Sequence, residues 1–142
     1  MAWDHGCGLD TGQFTAAGDY NDAADQFLIV RLTTGQTVKV TTAATLNSFG
    51  ILQDRPSSGM AANVRYFGIS KARVTTTAHS AITAGTKLGA STVGAGSVAP
   101  STAVGRYVLG RAMGTLAANT TGIITMFINH EGAGSSGAGT AA

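Results

Sequence analysis

The chain has 142 residues, of which only 11% are charged, and a formal net charge of +2. Its length suits one domain with a modest core. A charge content well below the roughly 25% of ordinary soluble domains leaves Thr, Ser, Gly, Asn and Ala to cover the surface, which favours a permanent assembly over a weakly charged monomer. Twenty Gly and two Pro, with Thr abundant, favour short strands and tight turns over helices. No apolar run approaches the roughly 20 residues a membrane helix needs. The opening MAWDHGCGLD has neither the basic nor the apolar region of a secretory signal. A single cysteine, Cys7, excludes an internal disulfide and fits a chain made in a reducing cytoplasm.

Charge is unevenly placed. Residues 1–25 carry Asp4, Asp10, Asp19, Asp22 and Asp25 with no Lys or Arg, whereas all nine basic residues lie between Arg31 and Arg111. Residues 1–25 therefore read as an acidic arm, extended and docked through Trp3, Phe14 and Tyr20, either on its own body or on a neighbour. The body follows at 26–131. Phe27–Leu32 (FLIVRL) and Thr37–Thr42 (TVKVTT) predict a β-hairpin turning at Gly35, the second strand with period two and one wet face. Thr45–Gln53 leads into a third strand, and Asp54–Gly59 (DRPSSG) is a loop on turn chemistry. In Val64–Val74 the apolar parity changes at Gly68, which predicts a bulge or sharp bend.

Ala81–Leu88 predicts a brief strand broken at Ala84-Gly85. Gly89–Ala103 is low in complexity and reads as a loop with at most a weak strand. Tyr107–Met113 and Gly122–Asn129 are the last strands; the final one is apolar on both faces and must be central or covered by a partner. The tail, 132–142 (GAGSSGAGTAA), has nothing to bury and predicts disorder. Met60–Asn63 (MAAN) is echoed by Leu116–Asn119 (LAAN), each leading toward a long strand. The expected fold is all-β: a small β-barrel or β-sandwich of about seven short strands, with an extended N-terminal arm and a disordered C-terminal tail.

Chemistry-bearing patterns are sparse. Gly6–Gly12 lacks the preceding strand, Lys-Ser/Thr end and following helix of a phosphate loop. His5 and Cys7 lack the second pair of ligands a structural zinc needs. His79-Ser80 has no base and orienting acid around it, and Asp54 and Glu131 are the only carboxylates outside the arm. No enzyme, metal or cofactor is expected. The basic residues come singly rather than clustered among stacking aromatics, so no nucleic acid is expected, and no membrane. Protein contact remains. Its candidate residues are Trp3, Phe14, Tyr20 and Asp22 of the arm, Asp54 and Arg55 of the loop, and Arg65, Lys71, Arg73, Arg106 and Arg111 of the basic body.

The ordered set FGILQDRPSSGMAANVRYFGISKARV, AITAGTKL, GRYVLGRAM and GIITMFI resembles the capsid cement (head decoration) proteins of tailed bacteriophages over about residues 26–130. The resemblance implies a β-rich subunit, commonly a homotrimer, on the outer surface of an assembled capsid. There it would bridge major capsid proteins and stabilise the expanded shell, after synthesis in the host bacterial cytoplasm. The acidic arm and the Gly/Ser/Ala tail depart from the family pattern. A carbohydrate-binding or adhesin-type module on a virion or cell surface is the second reading; it would present aromatics beside carboxylates or amides.

Overall fold

The computed structural model describes residues 8–43, 47–77, 79–91, 98–100 and 106–133, with backbone alone at 8–13, 99 and 133. These residues form β1 (Gly8–Ala16), β2 (Ile29–Leu32), β3 (Thr37–Val40), β4 (Gly50–Leu52), β5 (Ala61–Thr75), β6 (Lys87–Ala90), β7 (Val98–Pro100), β8 (Tyr107–Ala112) and β9 (Thr121–Ala133). A single short 3₁₀ turn, Ala23–Asp25, is the sole helical element among them. The all-β expectation holds, with a strand added where the sequence suggested an arm (β1) and a three-residue strand, β7, within the stretch read as a loop with at most a weak strand.

The strand order β1-β3-β2-β4-β5 closes on itself through a β1–β5 pairing, giving a five-stranded barrel. The other four strands grow from the second half of β5. There β9 pairs with β5 from Gly68↔Ile128 to Thr75↔Thr121. The path β9-β8-β6-β7 returns to β5 at Val74↔Val98 and completes a second circuit. Strand β5 thus belongs to both rings. Gly68, at φ +94°, is where its partner changes from β1 to β9; this is the bend expected from the sequence.

The parity change in β5 has a different outcome from the one its apolar pattern suggests. The even residues Ala62, Val64, Ser70, Ala72 and Val74 are buried on both sides of Gly68, while Phe67 is exposed. A bulge does the rest. Leu9 pairs with Phe67 and Asp10 with Arg65, leaving Tyr66 as an extra residue, so Val64 and Arg65 are both buried.

Two apolar clusters fill the rings. Val30, Val38, Val40, Leu52 and Val64 form one, with Phe14, Tyr20 and Phe49 against it. Leu88, Leu109, Ile124, Met126 and Ile128 anchor the other, which also takes Ile29 and Ile51. Adjacent residues of β2 and β4 therefore feed opposite clusters, which explains why FLIVRL is apolar at every early position rather than alternating. The predicted hairpin is present, with Val30↔Val40 and Leu32↔Val38 paired around Gly35 at φ +66°.

The N-terminal segment is extended as expected, and from Gly8 onward it packs on its own body. Thr15 N–H donates to Gln36 O and Ala16 N–H to Met60 O, each at 2.9 Å. The tail extends β9 by two residues, to Ala133; the remainder of the tail, like Trp3 and Cys7, lies outside the described residues. The MAAN and LAAN echo dissolves in three dimensions. Ala61 opens β5, whereas Asn119 sits in a turn at φ +54°. Each copy nonetheless joins an antiparallel pair, β4–β5 and β8–β9.

Candidate interaction face

The outer face of the second ring is built by strand alternation. With Ala72, Val74, Ile124, Met126 and Ile128 turned inward, the intervening residues of β5, β9 and β8 turn out. Pairing sets Ile69 beside Phe127, Lys71 beside Thr125 and Arg73 beside Ile123. Arg111 stands beside Phe127 on the other flank, and Lys87 beside Arg111. Phe67 is 45% exposed, Ile123 47%, Phe127 37% and Met113 50%. The Phe67 and Phe127 rings meet edge to face at 5.8 Å. Met113 joins them through its N–H, which donates to Thr125 O at 2.8 Å. Four large apolar side chains thus lie on the outer face of neighbouring strands, a concentration that marks contact surfaces more than scattered exposed residues do.

Cations frame this face. Lys71 is exposed, with Nζ 5.9 Å from the centre of the Phe27 ring. Arg111 makes a two-pronged ion pair with Glu131, both contacts at 2.9 Å, which holds its guanidinium above the usual arginine pKa. Arg111 also donates to Gly85 O at 3.2 Å. Planar pairing of this kind fixes the side chain flat against the sheet. At the lower edge His130 takes φ +49°. Its Nε2 donates to Tyr66 O at 2.6 Å, and its Nδ1 meets Tyr107 Oη at 2.9 Å. A side chain here substitutes for the ladder bond that β9 no longer makes to β5. Burial pushes the Tyr107 phenol above its ordinary pKa.

The residues singled out from the sequence are dispersed. Phe14 is half-buried and meets the Phe49 ring edge-on at 5.1 Å. Tyr20 is half-buried; its hydroxyl accepts Val40 N–H at 3.1 Å, and its own N–H donates to Pro56 O at 2.9 Å. Both belong to the first ring rather than to a free surface. Asp22 is exposed, and its N–H donates to the Asp25 carboxylate at 3.2 Å. Asp54 accepts Asn63 N–H at 3.1 Å, and burial raises its carboxyl above the ordinary value despite that bond. Arg55 is exposed and Arg106 half-buried.

Arg65 requires a correction. It is only 5% exposed, its Nη1 donates to Ile69 O at 2.7 Å, and burial lowers its pKa. It pins the bend of β5 from within and offers no surface to a partner. The acidic segment meets the loop and the basic face through hydrogen bonds. Asp19 accepts Ser58 N–H at 2.8 Å, and Arg73 donates to Ala23 O at 3.1 Å. Lys71, Arg73 and Arg111 do share one face. The apolar residues between them, Phe67, Ile123 and Phe127, were absent from the candidates. The signal for Ile123 and Phe127 was the double-sided apolarity of Gly122–Asn129; Phe67 lies outside that stretch, in β5.

No protein-family model matches the chain, and no curated protein sequence does. Among solved structures it is similar to the N-terminal base of the head fiber gp8.5 in bacteriophage phi29, at a TM-score of 0.56 and 13% identity, over 85% of this chain and 93% of that one. At that identity the likeness is one of fold.

Proposed function

We propose that this chain is a structural protein of a tailed-phage head, carried on the outer surface of the capsid as a decoration or cement subunit. Its partners would be the major capsid protein and further copies of itself, as a homotrimer. The observation that carries this reading is the likeness, over most of both chains, to the base of a phage head fiber. The outer face of β5, β8 and β9 supports it physically. An apolar centre of Phe67, Ile123, Phe127 and Met113 with a rim of Lys71, Lys87 and Arg111 suits a standing contact, where many modest sites repeated by symmetry sum to avidity.

The test is co-sedimentation of the purified chain with expanded and unexpanded heads of its own phage, alongside sedimentation equilibrium of the free chain. Saturable binding to expanded heads is expected, with Phe127→Ser reducing it at least tenfold while the circular dichroism spectrum is unchanged. A folded chain that ignores both kinds of head would overturn the proposal.

A further inference from the structure

We propose that the Phe67–Ile123–Phe127 face meets a second copy of this chain, with the acidic turn at Asp22 and Asp25 of one copy lying against the Lys87 border of the next. Three observations lead there. First, the face has an acidic border. Phe27 O accepts Arg73 N–H at 2.9 Å, so the segment around Phe27 runs along the edge of β5 that points away from β9. Arg73 turns outward, and its Nη2 reaches Ala23 O at 3.1 Å, which sets the turn on the outer side of the sheet. Asp22 is exposed and Asp25 half-buried. Neither carboxylate forms an ion pair among the described residues.

Second, the opposite border is cationic. Lys87 pairs with Arg111, and Arg111 with Phe127. Arg111 already holds Glu131 at 2.9 Å. Lys87 is exposed and forms no ion pair among the described residues. From the Phe27 segment to Lys87 the sheet takes four steps, through β5, β9, β8 and β6, roughly 19 Å at the usual strand spacing. That is more than twice the Debye length of about 8 Å at physiological salt, so the two borders cannot neutralise each other within one chain.

Third, the middle is apolar, with Ile123, Phe127 and Met113 each more than a third exposed. A surface negative at one side, positive at the other and apolar between them is complementary to itself. An unrelated partner has no reason to carry both signs at this spacing; a second copy carries them by construction. The contact is heterologous, because each copy gives its acidic border to one neighbour and its Lys87 border to the other. Such contacts close into a ring, here with the apolar centres turned inward. The number of copies, three, rests on the function proposed above; the pairing of the borders does not.

The experiment is sedimentation equilibrium of the full chain and of charge-reversal variants. Lys87→Glu and, separately, Asp22→Lys are each expected to weaken self-association. An exposed ion pair accounts for a factor of up to about five, and three identical contacts multiply this to roughly a hundredfold in the association constant of the ring. Lys87→Glu combined with Asp22→Lys exchanges the signs of the two borders and should recover association to within about threefold of the parent. Both side chains are exposed, so the circular dichroism spectrum should not change in any variant.

A parent chain that stays monomeric at every concentration overturns the proposal. So does association that ignores either reversal, or a double variant as weak as the single ones, because the two borders then do not meet. Head binding by a chain whose association ignores the reversals would refute the border pairing alone; association that follows them, without head binding, would refute the capsid reading alone.

Discussion

Gly110 of β8 lies where two backbones approach closely, and replacing it by Ala gives a sharp test of the β8–β9 ladder. A Cβ at this position would stand 2.0 Å from Phe127 O, 2.9 Å from Phe127 C and 3.0 Å from Ile128 Cα. Real Cβ atoms essentially never approach a neighbour within 3.0 Å, so at least 1.0 Å of separation must be created (3.0 − 2.0). All three obstructing atoms are backbone, so no rotamer change relieves the clash. The displacement strikes the pairs Gly110↔Ile128, Arg111↔Phe127 and Ala112↔Met126. Overpacking of this kind costs about 1–3 kcal/mol, and each ladder hydrogen bond stretched or lost adds about 1 kcal/mol.

A loss of about 3–5 kcal/mol follows, or a fall of roughly 10–20 °C in Tm for a chain of this size. The control is Gly35→Ala. A Cβ there meets nothing within 4 Å but must hold φ +66°, which costs about 1 kcal/mol. Urea unfolding followed by circular dichroism measures both. A Gly110→Ala protein within about 1 kcal/mol of the parent, or one less affected than Gly35→Ala, would refute the claim that β8 and β9 touch at this point.

Two further substitutions test the interior. Arg65→Met keeps the side-chain stem but removes the bond that Nη1 donates to Ile69 O at 2.7 Å. A loss of about 1–3 kcal/mol in urea unfolding is expected, against less than about 0.5 kcal/mol for Arg55→Met at the exposed loop. Asp54→Asn tests pH dependence. Burial raises the Asp54 carboxyl above its ordinary 3.8, so the folded pKa exceeds the unfolded one. The stability contribution of Asp54 is therefore complete below 3.8 and is lost as pH rises through the folded value. The amide retains an acceptor for Asn63 N–H without the charge. Thermal unfolding at about pH 4 and pH 7 should show the Asn protein gaining on its parent as pH rises; a parent that gains on the variant would reverse the sign of the argument.

The sequence disclosed most where local chemistry and tertiary role agree. Val38 and Val40 alternate with Thr37 and Lys39 because one face of β3 is wet, and Gly35 and Gly68 stand where the backbone turns to positive φ. It disclosed least where pairing overrides pattern. GLDTGQFTA has neither alternation nor a run of branched residues, yet it forms β1 because β5 and β3 each offer it an edge. Arg65 reads as a surface cation, since arginine is rarely buried, and only the Tyr66 bulge turns it inward. Of the candidate face, Lys71, Arg73 and Arg111 were legible as isolated cations. The apolar centre they surround was not, because strand apolarity on two faces does not say which face a neighbour covers. The same ambiguity hid the two-ring organisation: Ile29 and Val30 look alike in sequence yet feed different clusters.

The double membership of β5 has a consequence for how the chain can come apart. The first ring closes through Ala61–Gly68 and the second through Gly68–Thr75, and Ile29 and Ile51 of the first ring pack into the second ring's cluster, so neither is a module that could be excised, duplicated or exchanged alone. Cutting the backbone at Gly68 would leave each ring its own half of β5 but would part Ile29 and Ile51 from the cluster they fill, baring apolar surface on both fragments. The fragments should be insoluble apart and should recombine when mixed. A fold joined in this way has one melting event, and evolution can elaborate it only at its ends and loops.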